Sequence, residues 1–193
     1  YPYILNWQSP MFLGYFPSCN SYPSILGELL SAGLGIIGFS WSSCPSSTEL
    51  EMYCINEFIR LMRLPYTNGV ILSSSSESIL ISLIIAINMK KENIGKLVCY
   101  TSELAHSCIS KAANLTNTKI QRIETNKKYE IDIEKLEEMI KLDIKNGLVP
   151  CYIMGTFGTT SVCSVDNIEE LGKLSRKYKM YLHVDGAYSG GTL

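Results

Sequence analysis

Apolar and polar positions follow two rhythms along this chain, and the second half alternates them regularly. From residue 96 onward, short apolar runs rich in β-formers alternate with stretches whose apolar residues recur at helical spacing. Residues 96–100, 119–123, 150–155 and 181–184 predict strands. Residues 106–115, 133–145 and 167–179 predict helices, with Ile133, Leu136 and Ile140 on the inward side of the second. Strands alternating with helices predict an α/β fold with a mostly parallel sheet.

The first half is less regular. Residues 1–21 are rich in aromatics, Pro and Ser and read as a loop-like, extended segment. Residues 24–32 predict a helix with Ile25, Leu26, Leu29 and Leu30 on one side, broken by Gly33 and Gly35. The brief apolar run 36–41 reads as an interface segment. Ser47 is a good helix cap, and Glu49 and Glu51 suit a first turn, so 48–64 predicts an amphipathic helix ended by Pro65. A small extended piece, 69–72, leads into Ser73-Ser74-Ser75-Ser76. The stretch 78–91 is apolar nearly all round and predicts a buried helix. With no repeat and no interdomain linker, the chain reads as a single partial domain. A segment of about 1–47 leads into the α/β part, about 48–193.

Composition narrows the function classes. The 193 residues are 46% hydrophobic with a formal net charge of −1, as expected of a soluble globular protein. Near-neutral charge gives no footing for nucleic acid or an anionic membrane surface. The longest apolar stretch, 79–89, is interrupted by Ser82 and Asn88 and is too short to span a bilayer. Seven cysteines, an odd count without C-x-x-C spacing, read as reduced thiols of a cytoplasmic protein. With only His106 and His183 besides, no metal site is expected. The first residue is Tyr1 rather than Met, so the true start is expected upstream.

Four stretches carry candidate chemistry. Asp185 follows the strand 181–184 and precedes the small residues Gly186 and Ala187. A carboxylate at a strand's carboxyl end suits a cationic ring nitrogen, or it is an ordinary loop-capping Asp. The serine run opens a buried helix, where hydroxyls and free N–H groups suit a phosphate, or simply cap the helix. His106, between a strand and a helix, could stack on a flat cofactor and exchange protons, or be an unliganded helix-start residue. Gly155-Thr156-Phe157-Gly158-Thr159-Thr160 follows a strand and lets a ligand approach the backbone, or is a tight polar turn. All four are expected at the carboxyl ends of successive strands, lining one crevice. That points to a phosphorylated flat cofactor. A dinucleotide fits less well, since no G-x-G-x-x-G follows an early strand, and no P-loop is present.

These residues also resemble a known family. His183-Val184-Asp185-Gly186-Ala187-Tyr188 is similar to the His-Val-Asp-Ala-Ala-Tyr motif of the group II pyridoxal-phosphate decarboxylases. Tyr15-Phe16-Pro17-Ser18, Ser21-Tyr22-Pro23, Gly38-Phe39-Ser40-Trp41, Ser43-Cys44-Pro45 and Thr48-Glu49-Leu50-Glu51 resemble its aromatic-L-amino-acid decarboxylase branch. So do Ala105-His106-Ser107, Gly158-Thr159-Thr160 and Asp166-Asn167. The resemblance spans essentially the whole chain but under half of a full-length member. It implies the large domain of a fold type I, aspartate aminotransferase-like enzyme, here incomplete, using pyridoxal 5'-phosphate.

The resemblance also implies roles. Asp185 would pair with the pyridine nitrogen and His106 would stack on the ring. Ser75 and Ser76 would hold the phosphate, and Thr156 and Ala187 would contact the ring region. Tyr15, Phe16, Pro17 and Ser18 would line an aromatic substrate pocket. Ile37 and Phe39 would reach into the other subunit's site, since members are homodimers. The family's cofactor lysine is expected beyond residue 193, so this chain alone is expected to be inactive. The stretch between Pro65 and Val70 is shorter than in relatives. The implied reaction is decarboxylation of an aromatic L-amino acid to its amine. The alternatives are an aromatic acetaldehyde synthase, a histidine decarboxylase, or a non-catalytic truncated paralogue acting as a dimerisation partner.

Overall fold

The computed structural model describes residues 3–15 and 20–192. The chain forms two compact units, Tyr1–Ile71 and Leu72–Leu193. The division falls later than residue 47 because the segment after the second helix folds back onto it. The Ile71 N–H donates to Glu51 Oε1 at 2.9 Å, and Gly69 lies against Ile55.

The first unit contains α1 (Tyr22–Leu34) and α2 (Pro45–Leu61). Helix α1 starts earlier than its apolar spacing predicts because Ser21 and Ser24 form a reciprocal capping box and Pro23 fits the first turn. Gly35, at φ 61°, ends it in the left-handed region. Helix α2 likewise begins before Ser47, with Cys44 at its N-cap and Pro45 in its first turn. It ends at Leu61, before Pro65, where Arg63 takes a positive φ of 49°. Neither helix buries a residue. The run 36–41 is irregular and exposed, Phe39 being 84% accessible.

The second unit runs α3 (Ser75–Asn88), β1 (Leu97–Ser102), α4 (Cys108–Leu115), β2 (Lys119–Ile123), α5 (Ile133–Lys145), β3 (Val149–Thr156), α6 (Ile168–Tyr178) and β4 (Tyr181–Asp185). The four strands form one parallel sheet in the order β2-β1-β3-β4. The extended piece expected at 69–72 joins no sheet, and its Ile71 N–H is taken by the Glu51 side chain instead of a neighbouring strand. Helix α3 is buried along one side only, through Ile79, Ser82, Leu83 and Ala86, while Ile84, Ile85 and Met89 are exposed.

Helices cover both faces of the sheet, as a parallel sheet requires. Helices α3 and α4 pack on one face around Ile79, Leu83, Ile109, Tyr152 and Met154. Helices α5 and α6 pack on the other around Val98, Tyr100, Leu136, Ile140, Ile153 and Leu171. A buried polar network ties α5 to the sheet. Tyr100 Oη and Gln121 Nε2 both donate to the Asp143 carboxylate, at 3.1 and 3.0 Å.

Strand order decides where a ligand could sit. From β1 the chain crosses outward to β2 over the α4 face. It then returns past β1 to β3 over the α5 face and continues to β4. Reversing direction while keeping right-handed crossovers forces this change of face. The carboxyl ends of β1 and β3, where outgoing connections diverge, are therefore a topological switch point, where open α/β sheets bind ligands.

Candidate active site at the carboxyl edge of the sheet

Four elements of the second unit converge at this edge. Asp185 ends β4 and is buried. Its Oδ1 accepts the Ala187 N–H at 3.1 Å and the Ser75 hydroxyl at 3.5 Å. Gly186 allows the tight return that follows: a Cβ there would stand 3.1 Å from Gly190 Cα, and the Gly190 N–H donates to the Gly186 carbonyl at 2.8 Å.

Thr156 ends β3 and is the register partner of Asp185. Paired residues of neighbouring strands send their side chains to the same face. The Thr156 hydroxyl is buried and, among the described residues, is the one buried side-chain oxygen or nitrogen without a hydrogen bond. A buried hydroxyl left unpaired costs about 1–3 kcal/mol, so its presence at a crevice calls for a partner from outside the chain.

The serine run reaches this edge through α3 rather than at the end of a strand. Ser74 caps the helix by accepting the Glu77 N–H, and Glu77 folds back to accept from the Ser73 N–H and hydroxyl. Those hydrogen bonds hold the Glu77 carboxyl below its ordinary value. Ser73 and Ser74 are thus occupied in holding the helix start. Ser75 and Ser76, both exposed in the first turn, retain N–H groups that no helical carbonyl can reach.

His106 lies in the turn between β1 and α4, two residues before the helix begins. The helix starts at Cys108 rather than His106 because the His106 Nδ1 accepts the Cys108 N–H at 3.2 Å, acting as a side-chain cap. An accepting Nδ1 carries no proton, so Nε2 holds the ring's N–H. Cys108 links this turn to the other elements. Burial pushes its thiol up, the Asp185 charge pushes the same way, and the thiol donates to the His106 carbonyl at 3.9 Å.

The turn after β3 is closed on itself. The Thr159 hydroxyl and Ser164 Oγ lie 2.9 Å apart, and the Gly158 and Thr159 N–H groups both donate to the Ser164 carbonyl at 3.0 Å. Gly158 is required twice over. Its φ is +91°, and a Cβ there would meet Ser189 Oγ at 2.1 Å. Behind the turn, the buried Asp166 carboxylate accepts the Thr156 and Ile131 N–H groups, each at 2.7 Å. Burial raises the Asp166 pKa against the pull of those two bonds. Sequence reasoning gave Asp166, Cys108 and Arg122 no role. An Asp just before a helix reads as a cap, and only the folded chain turns Asp166 towards β3.

Asp185, Thr156, Ser75, Ser76, His106 and Ala187 therefore gather within the second unit. Tyr15, Ile37 and Phe39 belong to the first unit and are exposed, with Tyr15 stacked on Trp7 at 5.4 Å. Phe16, Pro17 and Ser18 lie outside the described residues. Among the described residues no group of His, Cys, Asp and Glu could hold a metal ion, and no helix is long and apolar enough to cross a membrane.

A four-stranded parallel sheet with this edge defines an α/β, ligand-binding class, and comparison with known proteins narrows it. The model of the pyridoxal-dependent decarboxylase conserved domain matches residues 1–193, and the chain belongs to that family. It is 39% identical to 4-hydroxyphenylacetaldehyde synthase of Rhodiola rosea over 99% of this chain and 42% of that protein. It is 34% identical to aromatic-L-amino-acid decarboxylase of Bos taurus over 99% of this chain and 44% of the relative. The crystal structure of Catharanthus roseus tryptophan decarboxylase with L-tryptophan superposes with a TM-score of 0.92 at 35% identity, covering 98% of this chain and 44% of that one. The fold is thus that of the aspartate aminotransferase-like pyridoxal-phosphate decarboxylases. The chain spans about two-fifths of the length of the relatives it matches.

The residues present fit the group for which the family is named. A phosphorylated pyridine ring needs an acceptor for its ring nitrogen, a donor near its ring substituents, and an anion site. The edge offers the buried Asp185 carboxylate, the orphaned Thr156 hydroxyl and the first turn of α3.

Proposed function

We propose that the protein binds pyridoxal 5'-phosphate and releases CO2 from an aromatic L-amino acid, giving the corresponding amine. The observation that carries this reading is the pairing of a buried carboxylate with an orphaned buried hydroxyl at one register position, Thr156 and Asp185. Bound there, the cofactor's ring supplies an electron sink for the pair left when the Cα–carboxylate bond breaks.

Each residue then has a task. The Asp185 carboxylate would accept the pyridine N–H and keep that nitrogen protonated. The Thr156 hydroxyl would donate to the ring's polar substituent. Ser75 and Ser76 hold the phosphate with hydroxyls and free N–H groups. His106 would stack on the ring and handle a proton through Nε2, its Nδ1 being engaged by the Cys108 N–H. Ala187 is small enough to let the ring approach. The enzyme acts as a cytoplasmic homodimer. Supporting this, α1 and α2 bury no residue within the unit that contains them.

A second reading has a specific support: similar relatives from Rhodiola rosea, Arabidopsis thaliana and Drosophila melanogaster are named as acetaldehyde synthases. On that reading the same edge couples decarboxylation to oxidative deamination, with dioxygen as the oxidant reduced to hydrogen peroxide and the nitrogen released as ammonia. The test is to supply the intact protein with pyridoxal 5'-phosphate and L-tyrosine, L-tryptophan or L-phenylalanine, and to measure CO2, amine and aldehyde together. Amine in step with CO2 supports the first reading, aldehyde in step with CO2 the second, and no CO2 from any of the three contradicts both.

A further inference from the structure

We propose that Arg122, on the strand next to the His106 turn, is a positioning residue that fixes the His106 imidazole. This rests on the cofactor reading above, in which His106 faces the ring. Arg122 sits near the carboxyl end of β2, and its guanidinium reaches across to the β1–α4 connection. Nη1 donates to the Glu103 carbonyl at 3.2 Å and to the Ala105 carbonyl at 3.4 Å. Nη2 donates to Ser110 Oγ, in the first turn of α4, at 2.8 Å. One rigid fork therefore grips the turn immediately before His106 and the helix immediately after it.

Glu103 tightens the same joint. Its N–H donates to the Ile123 carbonyl at 2.9 Å, and its Oε1 accepts the Thr125 N–H at 3.1 Å and hydroxyl at 3.0 Å. The two backbone segments that flank His106 are thus bolted to β2, while the His106 ring, among the described residues, makes one hydrogen bond of its own, from the Cys108 N–H. The direction of that N–H depends on how α4 begins, and Ser110 lies in that first turn. Arg122 therefore acts on the imidazole through the backbone and never touches the cofactor edge. A lysine cannot replace it, because a single ammonium on a flexible stem cannot serve two carbonyls and a hydroxyl in a planar array.

The test uses the intact protein and the variants Arg122→Lys, Arg122→Ala and His106→Asn. The ¹⁵N-labelled imidazole signal that is lost in His106→Asn identifies His106 in the spectra. Wild type should show a sharp Nε2–H signature for His106, and both Arg122 variants should broaden it or mix the tautomers while leaving His183 unchanged. Arg122→Lys keeps the charge and serves where Arg122→Ala fails to fold. Affinity for pyridoxamine 5'-phosphate, measured by calorimetry, should fall about three- to tenfold in either Arg122 variant, the size expected for loosening one hydrogen-bonded contact. In the His106→Asn background the same Arg122 change should cost nothing further.

An equal loss in both backgrounds, or a sharp and unshifted His106 spectrum in the variants, would overturn the proposal. If wild type does not bind pyridoxamine 5'-phosphate, the cofactor reading falls, and the imidazole spectra alone still decide whether Arg122 positions His106.

Discussion

Thr156 and Asp185 are register partners at the ends of adjacent strands, both buried, and the threonine hydroxyl has no hydrogen bond within the described chain. The pair is poorly arranged for stability alone. A valine at position 156 would fill the same volume without the unpaired oxygen. Thr156→Val should therefore stabilise the ligand-free protein by about 1 kcal/mol, by removing an unsatisfied buried hydroxyl. It should weaken pyridoxamine 5'-phosphate binding at the same time. Urea unfolding and calorimetry on the same variant check both halves. Lower stability together with unchanged affinity would show that the hydroxyl serves the fold.

The exposed network on α5 and α6 sets part of the acid response. Lys177 Nζ and Tyr178 Oη both donate to Glu137 Oε1, at 2.6 and 2.8 Å, and hold that carboxyl down to about 2. A carboxyl whose folded pKa lies below its free value contributes stability above the free value, and loses it as pH falls. For Glu137 the contribution is complete above pH 4.5 and fades towards pH 2. Melting curves should show the gap between wild type and Glu137→Gln widest near neutral pH, shrinking across that window and narrowing with added salt. A gap that does not change with pH would contradict this assignment.

Helix α1 carries Leu26, Leu30 and Leu34 at successive turns, all more than 60% exposed. Such a stripe requires cover, and a second copy is the cover consistent with the proposed homodimer. Leu30→Glu should convert the dimer to monomer at micromolar concentration, read by light scattering after size exclusion. A variant that stays dimeric places the interface elsewhere.

Much of the second unit was legible in the sequence, and particular residues show why. The bounds of β2 and α5 follow from strand-length and helical apolar patterns, with Asp132 capping α5 through the Glu134 and Lys135 N–H groups. The positions of Asp185 and Thr156 at strand ends, and of His106 between a strand and a helix, were legible because the strand–helix alternation of an α/β sheet is readable from apolar spacing. Three things were not. Helix starts at Tyr22, Pro45 and Cys108 depend on a capping box, on Pro45 and on the His106 ring, none of which alters apolar periodicity. The strand order, which creates the switch point, is a tertiary property. The roles of Arg122 and Asp166 arise from neighbours 10 to 35 residues away in sequence.

His106 has a role separable from charge. His106→Asn removes the ring and its Nε2 proton but leaves Asp185 and Thr156 in place. Turnover should fall about ten- to hundredfold, as for loss of a proton-handling group, and product should shift from amine towards aldehyde. Simultaneous assay of amine and aldehyde checks this. An unchanged product ratio with full turnover would remove His106 from the reaction.

The most direct test of the account is Asp185→Asn in the intact protein, assayed for CO2 and amine from an aromatic L-amino acid. The amide keeps the shape and can still accept the Ala187 N–H, yet carries no charge to hold a proton on the pyridine nitrogen. Turnover should drop about a hundred- to thousandfold, the scale of removing a main electrostatic stabiliser, while pyridoxamine 5'-phosphate still binds. Near-normal amine formation by this variant would contradict the assignment of Asp185 and, with it, the proposed function of this edge.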